Sequence, residues 1–131
     1  MTEAACLAGL RVLVVEDDML IAVHIEEILQ GFGCVVVGPV GNLDAALRMA
    51  DDEALDGAIL DVNIQGGHVY PVAERLRARG VPFALASGYG DWALPEAFRN
   101  QPRLTKPFTE LELEAQVMSL HRERGDDQPS A

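Results

Sequence analysis

The chain has 131 residues, of which 49% are hydrophobic, so it can bury one globular core but leaves little room for a second. Its formal net charge of −11 argues against a nucleic-acid-binding surface, which needs clustered Lys and Arg. No apolar run approaches the roughly 20 residues of a membrane span, and the first ten residues lack the basic region of a signal peptide. We therefore expect a cytoplasmic protein that binds neither nucleic acid nor membranes.

The chain begins with a short apolar segment followed by a helical pattern. Residues 11–15 (RVLVV) form a β-branched run too short for a helix, and residues 19–32 carry apolar side chains at helical spacing. Asp18 is placed to cap this helix, and Gly31 and Gly33 are placed to end it. The segment predicts one strand followed by one amphipathic helix.

The same alternation repeats along the rest of the chain. Strands are predicted at 34–38, 57–61, 81–87 and 103–105, followed by helices from Asn42, over 69–79, around 92–99 and from Thr109. The last helix has a clear start, because Thr109 and Glu112 make a capping box and Phe108 can pack on Leu113 across it. Such strand–helix units predict an α/β fold, a doubly wound parallel sheet with helices on both faces.

The domain boundaries follow from the same pattern. We expect a short N-terminal segment at residues 1–9 and one domain at residues 10–124. The last helix is expected to end near residue 124, because residues 125–131 (GDDQPSA) have the composition of a disordered tail. No output domain is expected to follow.

Polar residues follow four of the predicted strands. Glu16 and Asp17 come after the first, Asp61 ends the third, Ser87 ends the fourth, and Lys106 follows the fifth. In an open parallel sheet, ligands bind outside the carboxyl ends of the strands. We therefore expect these five side chains to meet at one edge.

The chemistry of this set indicates a metal-assisted phosphoryl acceptor. Crowded carboxylates repel by roughly 4 kcal/mol per pair at about 4 Å in an effective dielectric of about 20, so a cation must offset them. Magnesium (Mg²⁺) suits a few carboxylates together with phosphate oxygens. Lys106 and the Ser87 hydroxyl can contact phosphoryl oxygens, and Asp61 can act as the nucleophile that becomes an aspartyl phosphate.

These motifs resemble those of a known family. VVEDD (14–18), ILDVN (59–63), Ser87 and LTKPF (104–108) match, in order and spacing, the receiver domains of bacterial two-component response regulators, over about residues 10–122. The resemblance implies the CheY-like, flavodoxin-like fold, with a five-stranded parallel sheet in the strand order 2-1-3-4-5. It also implies that the protein becomes phosphorylated and takes part in phosphorelay signal transduction.

The resemblance assigns the metal site and the phosphoacceptor. Asp61 matches the phosphoacceptor. Glu16 and Asp17 match the acidic pair that holds Mg²⁺, with Asp17 as the direct ligand. The backbone carbonyl of Asn63 matches a further metal ligand.

The resemblance also assigns the residues around the phosphoryl group. Ser87 and Lys106 match the phosphoryl-sensing pair, and Lys106–Pro107 matches a cis peptide of the family. Residues 82–90 (PFALASGYG) resemble the Pro-Phe-x-Phe-Ala-Thr-Gly-Tyr signature of a subgroup of single-domain receivers.

One family feature is absent from this sequence. Many receivers carry a switching aromatic residue three positions before the lysine, where this chain has Arg103. Tyr89, two residues beyond Ser87 and between two glycines, is the candidate that takes over the switch or screens the phosphate from water. In the family, this position and that of Asn63 border the path of the hydrolytic water.

The expected partners follow from the family. A histidine kinase or histidine phosphotransfer protein would donate the phosphoryl group, and a downstream protein partner would read it. The kinase would dock on the helix after Asp18, where Met19 and Ala22 are the exposed-side candidates that flank the active edge. We expect a monomer or weak homodimer that dephosphorylates itself slowly rather than a turnover enzyme.

His24 and His68 lack ligand-spaced partners and are predicted to be surface residues.

The residues alone leave three alternative functions open. A Mg²⁺-dependent phosphohydrolase of similar topology would usually need a second acid two residues past its nucleophile, where this chain has Asn63. A nucleotide-binding fold would want a glycine-rich turn after the first strand, where the sequence is EDDML. A degenerate receiver would bind partners without phosphorylation.

Overall fold

The computed structural model describes residues 7–88 and 94–127, with side chains up to residue 122. The strands are β1 (Arg11–Val15), β2 (Val35–Val40), β3 (Gly57–Asp61), β4 (Asn63–Ile64), β5 (Gly67–His68), β6 (Phe83–Ser87) and β7 (Arg103–Thr105), and the helices are α1 (Met19–Gly31), α2 (Leu43–Asp52), α3 (Tyr70–Ala78) and α4 (Glu110–Asp127). Five strands pair in parallel in the order β2-β1-β3-β6-β7. This is the predicted order 2-1-3-4-5, and the predicted fold class is confirmed.

Helices cover both faces of the sheet, because the central strands are apolar on both sides. Successive residues of β1 point to opposite faces, so Val12 and Val14 enter one core cluster while Leu13 and Val15 enter the other. The first cluster contains residues of α1 and α4, and the second contains residues of α2 and α3. Among the described residues, no helix combines the length and the apolarity that crossing a bilayer requires.

The predicted helix boundaries are confirmed at their caps. The Asp18 side chain accepts a hydrogen bond from the Leu20 amide at 3.0 Å, and Gly33 follows α1 with a φ of +87°. Thr109 and Glu112 form the predicted capping box, since each side chain accepts from the other's amide, at 3.0 and 3.1 Å. These caps fix the residues at which α1 and α4 begin, just after the carboxyl ends of β1 and β7.

Two predicted elements differ from the structure. Instead of a helix around 92–99, the described part of that segment contains only a 3-10 turn at Glu96–Phe98, after Pro95. The last helix extends to Asp127, past its predicted end near residue 124 and into the predicted tail. A glycine inside a helix costs about 1 kcal/mol, which is why Gly125 favours an earlier end on the sequence pattern alone.

A small hairpin lies between β3 and α3. Asn63 pairs with His68 and Ile64 with Gly67 in an antiparallel ladder. The turn needs glycine, because Gly66 and Gly67 have φ values of +98° and +134°. The hairpin is tied to the start of α2 by two backbone hydrogen bonds: Gln65 donates to the Gly41 carbonyl at 3.1 Å, and Leu43 donates to the Gln65 carbonyl at 2.9 Å.

Candidate functional site

The carboxyl ends of the strands bring three acids together at one edge of the sheet. Glu16 and Asp17 follow β1, and Asp61 ends β3, which is paired with β1. One carboxylate oxygen from each of the three lies within 4.8 Å of the others. Glu16 and Asp61 are buried, whereas Asp17 is exposed. Three oxygen donors at this spacing form a group that could hold a divalent cation.

Lys106 ties two of these acids together. Its Nζ donates a hydrogen bond to Oε1 of Glu16 and lies 3.1 Å from Oδ2 of Asp61. The other oxygen of Glu16 accepts from the Asp18 amide at 3.1 Å. Because both oxygens of Glu16 already have partners, the exposed Asp17 is the carboxylate most open to a ligand from solvent.

Burial and charge shift the ionisation of the central pair. Burial raises the pKa of Asp61 to about 7, assisted by a hydrogen bond and repulsion from Glu16, while Lys106 offsets only part of this effect. Burial lowers the pKa of Lys106, but its pairing with Glu16 and Asp61 outweighs that effect, so the pKa is raised overall. Lys106 therefore stays charged, whereas Asp61 changes between its protonated and its ionised form near neutral pH.

The site carries an excess of negative charge. With all three acids ionised, the carboxylates outnumber the Lys106 ammonium by two charges. This excess equals the charge of one divalent cation, and the donors are the hard oxygens that such a cation prefers. The residues present therefore fit the metal that the sequence predicts.

The other predicted site residues lie around Asp61. The Asn63 amide donates to Oδ1 of Asp61 at 3.3 Å, which keeps residue 63 against the carboxylate. Ser87 is buried, and its carbonyl accepts from the Lys106 amide at 2.8 Å. The Lys106–Pro107 peptide is cis, as expected. The metal-ligand role of the Asn63 carbonyl and the sensing roles of Ser87 and Lys106 stay predictions.

The switch region is only partly described. Arg103 is exposed at the start of β7, the strand that Lys106 directly follows. Tyr89, the candidate for the switch, lies outside the described residues. Its proposed role is therefore a prediction on sequence alone.

Gly41 is a site residue that no motif of the sequence indicates. A Cβ at this position would lie 3.0 Å from the Cα of Asp17 and 3.3 Å from the carbonyl oxygen of Glu16. The loop after β2 can therefore pass against the two acids only because residue 41 has no side chain. A glycine followed by a helix cap is too common in loops to signal this role.

The predicted docking helix needs one correction. Met19 is 72% exposed as expected, but Ala22 is buried, because it lies on the same face of α1 as Ile25 and Leu29. Leu20 takes its place on the exposed side, with 84% of its surface accessible. Beside it lies an apolar groove of about 450 Å³, lined by Leu20, Ile21, His24, Lys106, Pro107 and Phe108.

The fold and this site define a class of protein. Residues 12–118 match the family model described as the response regulator receiver domain, and the chain belongs to that family. The solution structure of SdrG from Sphingomonas melonis Fr1 is 37% identical, with a TM-score of 0.76, over 93% of this chain and 99% of that chain.

Two further comparisons extend this result. The receiver domain of the sensor histidine kinase PA1611 from Pseudomonas aeruginosa PAO1, whose structure has a magnesium ion coordinated in the active-site cleft, is 26% identical, with a TM-score of 0.70, over 90% of this chain and 99% of that chain. The response regulator receiver protein Anae109_2439 of an Anaeromyxobacter species is 34% identical over 113 residues, which are 85% of this chain and 45% of that protein. The chain spans about half the length of the curated relatives it matches.

Proposed function

We propose that this receiver domain accepts a phosphoryl group on Asp61 from a histidine kinase or histidine phosphotransfer protein, with Mg²⁺, and then signals through contacts with a downstream protein. We place it in the cytoplasm, as a monomer or weak homodimer that does not bind nucleic acid. The observation that carries the proposal is the partly buried Lys106 ammonium, which joins the buried carboxylates of Asp61 and Glu16 beside a third carboxylate.

The chemistry follows from these contacts. An oxygen of ionised Asp61 attacks the phosphorus of a phosphohistidine, the P–O bond forms as the P–N bond breaks, and the histidine nitrogen keeps the electron pair. Asp17, Asp61 and the Asn63 carbonyl would hold Mg²⁺, which would supply positive charge for the phosphoryl oxygens. Lys106 can then exchange its contact with Asp61 for a phosphoryl oxygen, while Ser87 donates to another.

Labelling with acetyl phosphate tests this proposal without a kinase. The wild-type protein should gain one acid-stable but base-labile phosphoryl group in the presence of Mg²⁺ and none when the metal is chelated, because the excess negative charge then repels the donor. Labelling that is equal with and without Mg²⁺ would contradict the metal-assisted mechanism.

The same protein can be offered p-nitrophenyl phosphate to test the phosphohydrolase alternative. In that class, residue 63 would be a carboxylic acid that serves as the general acid and base, but here it is an asparagine, whose amide cannot transfer a proton in this way. Its side-chain oxygen is instead hydrogen-bonded to His68 at 2.9 Å. We expect no sustained release of nitrophenol. Many turnovers per protein molecule would favour the hydrolase instead.

Gly41→Ala should weaken Mg²⁺ binding. The new methyl group must displace the Asp17 backbone by a few tenths of an ångström, and a metal ligand tolerates little displacement. We expect an affinity loss of about 3- to 10-fold, which corresponds to roughly 1 kcal/mol. The measurement is a calorimetric Mg²⁺ titration. Gly31→Ala is the matched control, because a Cβ there meets nothing within 4 Å.

Leu20→Ala should slow phosphotransfer from the phosphohistidine partner. We propose that the groove beside Leu20 receives the partner's helix bundle, since it opens next to Lys106 and is largely apolar. Losing a buried leucine contact weakens binding by about 1.5–3 kcal/mol, so a drop of at least 10-fold in kcat/KM is expected. Met19→Ala should act in the same direction.

Two comparisons make that result specific. Labelling by acetyl phosphate should not change in Leu20→Ala, and transfer from the partner should not change in Val35→Ala, an exposed residue at the amino end of β2. If Leu20→Ala slowed both labelling routes equally, the groove would be part of the chemical site rather than a docking surface.

A further inference from the structure

Asn63 and His68 form a pair at the edge of the phosphorylation site. They face each other across the β4–β5 hairpin, and Nδ1 of His68 lies 2.9 Å from Oδ1 of Asn63. A side-chain amide oxygen can only accept a hydrogen bond, so Nδ1 carries the hydrogen and donates it. The contact therefore engages the acceptor atom of Asn63.

The histidine is held firmly in this position. The next residue, Val69, is fully buried, and its amide donates to the Val62 carbonyl at 2.9 Å. The His68 ring lies against Tyr70, with ring centroids 5.6 Å apart, and Tyr70 stacks on Phe98 at 5.3 Å. The chain next to His68 is therefore anchored in the core, and the His68 ring packs against Tyr70.

Residue 63 also contacts Asp61 through its backbone amide. Its amide donates to Oδ1 of Asp61 at 3.3 Å, and both Asn63 and His68 are exposed to solvent. A phosphoryl group on Asp61 would therefore emerge next to residue 63, whose side chain is exposed at this edge. Water that hydrolyses this group must approach phosphorus, and an acceptor oxygen nearby would orient such a water through its hydrogen.

We propose that His68 is a positioning residue that lengthens the lifetime of the aspartyl phosphate by holding the Asn63 side-chain oxygen away from hydrolytic water. The hydrolysis is attack by water oxygen on phosphorus, with cleavage of the bond to the Asp61 oxygen and loss of the water proton to solvent. This inference rests on the proposed function, because it concerns the phosphate that Asp61 would carry.

The test measures the decay of the phosphoryl group after labelling with acetyl phosphate and removal of the donor. His68→Ala should shorten the half-life about 3- to 10-fold, because Oδ1 of Asn63 becomes free to orient water. His68→Asn should restore it, since its side-chain nitrogen is separated from the backbone by the same number of bonds as Nδ1. His121→Ala, on α4, is the control and should leave the half-life unchanged.

A second background separates positioning from general damage. In Asn63→Ala, which keeps the backbone carbonyl, adding His68→Ala should not change the half-life further. In unphosphorylated protein, the NMR signals of the Asn63 side-chain amide should shift in His68→Ala and return toward their wild-type position in His68→Asn. This readout does not depend on phosphorylation.

The possible failures are distinct. If the wild-type protein is labelled but His68→Ala decays at the wild-type rate, the inference is wrong and the proposed function stands. If His68→Ala shortens the half-life equally in the Asn63→Ala background, His68 does not act through Asn63. Absence of any labelling of the wild-type protein would overturn both proposals.

Discussion

Asp61→Asn is expected to lose labelling by acetyl phosphate completely. An amide cannot serve as the nucleophile, and the nearest carboxylates cannot substitute for it: Glu16 is buried with both oxygens engaged, and Asp17 carries no contact with Lys106 among the hydrogen bonds of the described residues. The measurement is phosphoryl incorporation with saturating donor and Mg²⁺. Asp52→Asn, an exposed acid at the end of α2, should label normally. Undiminished incorporation in Asp61→Asn would exclude Asp61 as the acceptor.

The same substitution should make the metal-free protein more stable near pH 8. Because the pKa of Asp61 is about 7 in the folded protein and ordinarily near 3.8, ionising it opposes folding by an amount on the order of 2–4 kcal/mol. Asparagine removes that charge while keeping a polar group of the same size. We expect Asp61→Asn to raise the free energy of unfolding by about 1–3 kcal/mol, measured by urea denaturation with the metal chelated.

The direction in which the free energy of unfolding changes with pH tests whether the charge at Asp61 is the cause. A carboxyl whose pKa is raised by folding binds more protons in the folded state, so wild-type stability should fall as pH rises from about 4 to about 7 and then level off. The advantage of Asp61→Asn should therefore be largest near pH 8 and less than half as large near pH 5. An advantage that is equal at both pH values would show that charge at Asp61 is not its source.

Lys106→Met should have the opposite effect on stability. The substitution keeps the apolar stem but removes the ammonium that contacts Glu16 and Asp61, leaving two buried carboxylates without their cation. The Lys106 side chain is 18% exposed, so water can replace part of the interaction. We expect the free energy of unfolding near pH 8 to fall by about 2–3 kcal/mol in metal-free protein.

Three comparisons test that explanation. Saturating Mg²⁺ should recover much of the loss, because the metal supplies the missing positive charge. Arg75→Met breaks the exposed pair with Asp51 and should cost less than about 1 kcal/mol. In an Asp61→Asn background, Lys106→Met should cost less than in the wild type, since one of its two partners is already neutral. Equal costs in both backgrounds would mean that Lys106 does not stabilise ionised Asp61.

Much of the fold is legible in the sequence. Strands such as β1 and β3 are apolar on both faces, which is the pattern of a covered parallel sheet, and caps such as Asp18 and Thr109 mark the helix starts. The gathering of the acids with Lys106 at one edge follows from the rule that parallel strands share their carboxyl ends. The strand order came from the family resemblance rather than from the pattern itself.

Some site residues cannot be found from the sequence, because their contacts leave no periodic pattern of apolar and polar residues. His68 meets Asn63 because of the register of a hairpin with two residues in each strand, which is too short to produce an alternation. The Gly66–Gly67 pair was the available turn signal. The role of Gly41 depends on a close approach between two loops. Ala22, by contrast, lies at helical spacing from Ile25 and Leu29, so its burial could have been predicted.

The most direct test of the central claim is to locate the phosphoryl group on the wild-type chain. Protein labelled with acetyl phosphate and Mg²⁺ is reduced with borohydride, which converts an aspartyl phosphate to homoserine, and the peptides are sequenced by mass spectrometry. The proposed function predicts homoserine at position 61, dependent on both donor and Mg²⁺. Modification at another acid, or none at all in protein that binds Mg²⁺, would contradict it.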